Sequence, residues 1–118
     1  MIINDNYETS SKVAGELISL DLKENLIWGF QRTINREVIG SMLRSIEQEK
    51  PFKPVNLVQF SRNIYFMAFL IDDEQGKPDG GHHRAYAHYL ANKPLSCRIV
   101  NPKWIRRGTI DIRDLVYK

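Results

Sequence analysis

In "ELISLDL", Glu16 to Leu22, apolar Ile18, Leu20 and Leu22 alternate with polar Ser19 and Asp21. A period of two is that of a strand with one face in the core. A turn over Lys23 to Asn25 separates it from "LIWGFQR". The period then changes: Val38, Ile39, Met42, Leu43 and Ile46 recur at three- and four-residue spacings, which predicts a helix over "NREVIGSMLRSIEQEK" with that face in the core. Asn35 is placed to cap it and Glu37 lies in its first turn, where negative charge is favoured. Pro51 and Pro54 prevent its continuation and bias Lys50 and Lys53 toward extended backbone.

Two strands follow, "VNLVQF" with its alternating pattern and "IYFMAFLI", which is apolar throughout and so predicts cover on both faces. "SRN" between them suits a hairpin turn. The glycine and proline of "DDEQGKPDGG" predict a loop. A second helix runs from His82 to Ala91, with Ala85, Tyr86, Tyr89 and Leu90 on one face and Asn92 and Pro94 at its end. "LSCRIV" reads as another strand with Leu95, Cys97 and Ile99 on one face. The tail carries a strand near Gly108 to Ile112, and its end is left open. The expected fold class is α+β, a small mixed sheet with two main helices.

The length of 118 residues allows one core, and the near-average shares of hydrophobic (42%) and charged (26%) residues fit an ordinary folded domain. Residues 1–13, polar and without periodicity, are expected to form a flexible arm, leaving 14–118 as the single domain. Cys97 is the only cysteine, which excludes an intramolecular disulfide and a multi-cysteine zinc site; a cytoplasmic setting is the simplest inference. No apolar run approaches the roughly 20 residues of a membrane helix, so no membrane partner is expected. Cys97 and the two tryptophans, Trp28 and Trp104, are expected in the core.

Charge changes the picture only toward the C-terminus. The net charge is +3. From Lys93 onward Lys93, Arg98, Lys103, Arg106, Arg107, Arg113 and Lys118 face only Asp111 and Asp114. Any contact with a polyanion should draw on this part, with Lys103, Arg106 and Arg107 as nucleic-acid-binding candidates, against the alternative of a solvated basic surface.

The stretch "PDGGHHRAYAHYL" carries the candidate chemistry. Gly80 and Gly81 allow close approach to the main chain, and the helix that follows offers unpaired N–H groups backed by a partial positive charge. Arg84, one turn in, brings a guanidinium fork to the same place. A phosphate is the natural occupant. His82 and His83 add donors or a base titrating near neutral pH, with His83 the candidate acid or base. Asp79 has three readings: a magnesium or hydroxyl ligand, a second catalytic acid or base, or a helix cap. His88 stands five and six residues from the pair, the wrong spacing for two zinc ligands on one helical face.

The order of these parts, "FQR", a helix ending "LRSIEQEK", "PFKPVNLV", then "DGGHHRAYAHYLANKPLSCRIV", resembles the N-terminal domain of the ParB and sulfiredoxin superfamily over roughly Leu17 to Val100. Leu43, Ser45 and Ile46, then Pro54 and Val55, then Gly81 to Arg84 match it in type and order. The resemblance implies a ParB/sulfiredoxin-like fold and a nucleotide-phosphate site formed by Gly80, Gly81, His82, His83 and Arg84. Gln31 and Arg32 stand where the family has an arginine reaching the same phosphates. It further implies ATP or CTP with magnesium as cofactor and DNA as an associated partner. Where sulfiredoxins have a nucleophilic cysteine this chain has His82, so sulfinic-acid reduction is not expected. A phosphoryl-transfer or nuclease-like enzyme using the same pocket, and an interaction module that has lost the activity, are the competing readings.

Overall fold

The expected α+β architecture is present in a computed structural model, which describes residues 15–68, 70, 81–102 and 105–118. The strands are β1 (Gly15–Leu20), β2 (Leu26–Gly29), β3 (Thr33–Ile34), β4 (Val55–Ser61), β5 (Ile64–Met67), β6 (Leu95–Val100), β7 (Ile110–Asp111) and β8 (Val116–Tyr117). The helices are α1 (Arg36–Glu47) and α2 (His82–Ala91). Six strands form one mixed sheet in the order β1-β6-β4-β5-β2-β7, and β3 pairs with β8 in a separate parallel ribbon. The β4–β6 and β2–β5 pairs are parallel, while the β1–β6, β4–β5 and β2–β7 pairs are antiparallel.

The N-terminal alternation folds as its period predicts, with Leu20 and Leu22 buried. Helix α1 begins where its cap requires, the Asn35 side chain accepting the N–H groups of Glu37 and Val38. Its apolar arc divides: Ile39 and Ile46 are buried, Met42 and Leu43 pack at the edge of the core, and Val38 stays 39% exposed. The expectation that the whole arc is core is corrected at Val38, which faces the cleft described below.

Helix α2 departs further from its pattern. Its buried residues are His82, Ala85, Ala87 and His88, while Tyr86 and Tyr89 are half-buried and Leu90 is exposed. The aromatic face expected in the core therefore borders it, and two imidazoles take the inner positions. Burying an imidazole is tolerable only if its polar atoms find partners. The helix ends at Asn92, whose left-handed φ of 56° lets its N–H reach back to the carbonyl of Tyr89.

The main core lies between the sheet and the two helices. Val55, Leu57, Leu95 and Cys97 meet Ile39, Ile46, Ala85 and Ala87 there. Val58, Ala68, Leu70 and Val100 form a second, smaller buried group. Cys97 is fully buried, as expected, whereas Trp28 is only partly so. The apolar run from Ile64 gives a strand only as far as Met67, and in the tail the strand near Gly108 shrinks to the two residues of β7. The 1–13 arm, the "DDEQGKPDG" loop, Asp79, Gly80, Lys103 and Trp104 lie outside the described residues. Among those described, no helix is long and apolar enough to cross a membrane.

Candidate functional site

The N-terminus of α2 meets the segment joining β2 to α1, and a cleft of ≈ 180 Å³ lies between them. Gln31, Val38, Met42, Gly81, His82, His83 and Arg84 line it. Five of these seven are residues that the sequence pointed to; Val38 and Met42 are additions. Periodicity places both on the apolar arc of α1 but cannot tell which part of that arc another helix will cover.

Three consecutive side chains fasten α2 to distant parts of the chain. His82 Nε2 accepts the backbone N–H of Phe30 at 3.1 Å and of Gln31 at 3.3 Å. His83 Nε2 accepts the N–H of Asn35 at 3.0 Å. Arg84 Nη1 donates to the carbonyls of Lys53 at 2.6 Å and Pro54 at 3.0 Å. A fourth bond runs within the helix, His88 Nδ1 donating to the Arg84 carbonyl at 2.7 Å.

These bonds define the protonation of the pair. A nitrogen that accepts an N–H carries a lone pair, so in both His82 and His83 the proton sits on Nδ1. Electrostatics agrees. Burial, with a smaller contribution from His83, lowers the pKa of His82 from 6.5 to about 4. Burial and then the charge of Lys118 lower that of His83. Both rings are neutral at neutral pH and offer an Nδ1–H donor.

For His82 that donor has no acceptor. The residue is only 2% exposed, and its Nδ1 is buried without a hydrogen-bond partner. The adjoining helix end adds donors: Gly81 is the N-cap and supplies no side-chain acceptor, so the first N–H groups of α2 lack intrahelical partners. Donors without acceptors, in a cleft next to a positive helix end, match an oxyanion ligand such as a phosphate. The cleft lining among the described residues contains no carboxylate, so it supplies no magnesium ligand of its own. More broadly, no group of three His, Cys, Asp or Glu among the described residues is placed to hold a metal ion.

The glycine in this motif has a steric reason. Gly81 is buried with φ −165°, extended backbone open to any residue, but a Cβ there would run into the Val55 side chain on β4. Gly29 has a similar constraint from the His82 ring. The close approach that Gly81 permits is therefore made by β4.

The remaining candidates surround this cleft unevenly. Gln31 lines it, with its side-chain amide donating to the Thr33 carbonyl at 2.6 Å. Arg32 has an exposed side chain, and its main-chain carbonyl accepts the N–H of Val116. Arg106 lies 4.7 Å over the Phe30 ring, which in turn meets the His82 ring edge-on at 4.9 Å. Arg107 stands over Phe60 at 5.4 Å. The sequence reading missed Phe30 and Phe60, since a single aromatic in a short segment carries no periodic signal.

Comparison of the chain with family models, with curated proteins and with solved structures returns no match.

Proposed function

We propose that this chain is a ParB/sulfiredoxin-like nucleotide-phosphate-binding domain working in association with DNA, with the cleft at the N-terminus of α2 as its phosphate site. The observation that carries this reading is the buried Nδ1–H of His82, a donor without an acceptor in the wall of that cleft. A phosphate oxygen would satisfy it, together with the open N–H groups of α2. The apolar side chains of Val38 and Met42 leave room for the uncharged part of a nucleotide. ATP or CTP is the expected ligand, with any magnesium brought on the phosphates.

A ligand that binds only the folded chain raises its melting temperature. A panel of ATP, ADP, CTP and GTP at millimolar concentration, with and without magnesium, should show such a rise for at least one nucleotide. Val38→Glu should abolish it, because a carboxylate then stands beside the phosphate site while the fastenings of α2 stay intact. A flat response to all four nucleotides overturns the reading.

One observation favours a second reading, an interaction module without catalysis. The basic nitrogens of His82 and His83 and one arm of Arg84 are all engaged by main chain. In an enzymatic version, phosphoryl transfer or metal-dependent phosphodiester cleavage, His83 would enter as an Nδ1–H donor, and the base would have to be Asp79. Metal-dependent nicking of plasmid that disappears in Asp79→Asn would establish that version.

A further inference from the structure

The wall of the cleft continues into a strip of alternating rings and guanidinium groups. The His82 ring meets the edge of Phe30 at 4.9 Å, and Phe30 carries Arg106 over its face at 4.7 Å. The next residue, Arg107, stands over Phe60 at 5.4 Å. Phe60 is 54% exposed at the end of β4, and its ring is tilted against the buried Phe66 at 5.0 Å, which props it at the surface. Arg106 and Arg107 are exposed as well. An exposed phenylalanine beside exposed arginines is a surface for ligands with both π-faces and negative charge, because guanidinium groups stack on planes and pair with phosphates.

We propose that the cleft receives the phosphorylated end of a single-stranded nucleic acid, whose next nucleotides pass over Arg106, Arg107 and Phe60. This rests on the phosphate reading of the cleft and deepens it by naming a polymer as the ligand. Two features favour the polymer. The strip begins at the cleft wall, through the Phe30–His82 contact, so a ligand that fills both must continue beyond one nucleotide. The cations along it lie in the stretch where seven basic residues face two acidic ones, and charge there complements successive phosphates. Single strands are specified because a duplex hides the base faces that an aromatic platform needs.

The test uses thymidine octamers carrying a phosphate at the 5′ end, at the 3′ end or at neither, titrated by fluorescence anisotropy, with thermal shift by mononucleotides run in parallel. One of the phosphorylated octamers should bind about tenfold or more tighter than both the hydroxyl-ended octamer and the mononucleotide. Phe60→Leu, which keeps an apolar side chain and removes the ring, should weaken octamer binding on the order of tenfold, and Phe60→Trp should retain it. Arg107→Gln should reduce the slope of log affinity against log salt by about 0.7, the value for one phosphate contact on a single strand. Neither Phe60→Leu nor Arg107→Gln should alter the mononucleotide shift. Octamers bound no better than mononucleotides, equal binding of a duplex, indifference to the end group, or full binding by Phe60→Leu would each overturn the proposal. If mononucleotides still shift the melting temperature, the phosphate reading survives that failure; if neither ligand binds, both fall.

Discussion

His82 and Phe30 stand 52 residues apart in the chain, yet the Nε2 of the first accepts the backbone N–H of the second at 3.1 Å. That bond, shared with Gln31, holds the start of α2 against the exit of β2 and so forms one wall of the cleft. The ring is therefore an element of the fold before it is an element of any chemistry.

Replacing His82 by alanine should leave the N–H groups of Phe30 and Gln31 buried without an acceptor and open a void. A loss of about 3 kcal/mol is expected, read as a lower urea midpoint. His82→Gln places an amide oxygen near the position of Nε2 and should recover part of it. Equal losses in the two variants would show that the volume of the ring matters and its acceptor does not.

The same residue makes the protein sensitive to acid. Unfolded, its imidazole takes up a proton near pH 6.5; folded, it resists until about pH 4. The unfolded state therefore binds more protons between these values, and stability is complete above about pH 6.5 and lost as the pH falls toward 4. The slope from this group approaches 1.4 kcal/mol per pH unit, and His83 and His88, also lowered by burial, act in the same direction. Urea midpoints at pH 7.5 and pH 5 measure the difference, and His82→Gln should reduce it.

Arg84→Ala should weaken the fold by about 1.5–3 kcal/mol, since its guanidinium is the donor to the carbonyls of Lys53 and Pro54. Lysine at this position retains one charged donor and should restore part of the stability. Loss of nucleotide binding in Arg84→Ala is thus expected on structural grounds alone. The ligand site is better probed at Val38, and chemical denaturation of the two arginine variants checks the structural role.

Gly81→Ala should cost about 1–3 kcal/mol, because its methyl group would occupy the space held by Val55. The extended φ of Gly81 means that no backbone strain is added. Combining it with Val55→Ala should therefore give a double variant more stable than the sum of the two losses predicts. Additive losses would place the penalty elsewhere than the Val55 contact.

Cys97 is fully buried on β6 and burial pushes its thiol up to about 12. A thiol-specific reagent at pH 8 should modify the native protein slowly and the urea-unfolded protein at the rate of an ordinary cysteine. Rapid labelling of the native chain would contradict the placement of β6 between β1 and β4.

Helix α1 was legible because its signals are local: a cap, a spaced apolar arc and a proline beyond its end. The exposure of Val38 was not, since it depends on where α2 docks. The inner face of α2 was misread for a related reason. A histidine becomes fit for the core only through partners, and those of His82 and His83 lie 48 to 52 residues away. β7 and β8, two residues each, are too short to show a period. At the cleft, the convergence of Gln31 with Gly81 through Arg84 follows the resemblance to the ParB and sulfiredoxin group. The stacking of Arg106 on Phe30 follows from no pattern in the chain, because a cation and a ring brought together by tertiary structure leave no mark in spacing.

The three fastenings at the start of α2 all close on main-chain atoms: the N–H groups of residues 30, 31 and 35 and the carbonyls of residues 53 and 54. Every amino acid has such a carbonyl, and every one but proline such an N–H. One half of the clasp is written in "HHR", and the other half is indifferent to side chain. Mutation can therefore drift freely at the backbone half, short of a proline at 30, 31 or 35, without undoing it, and kinship among chains that share the clasp would show on one side only.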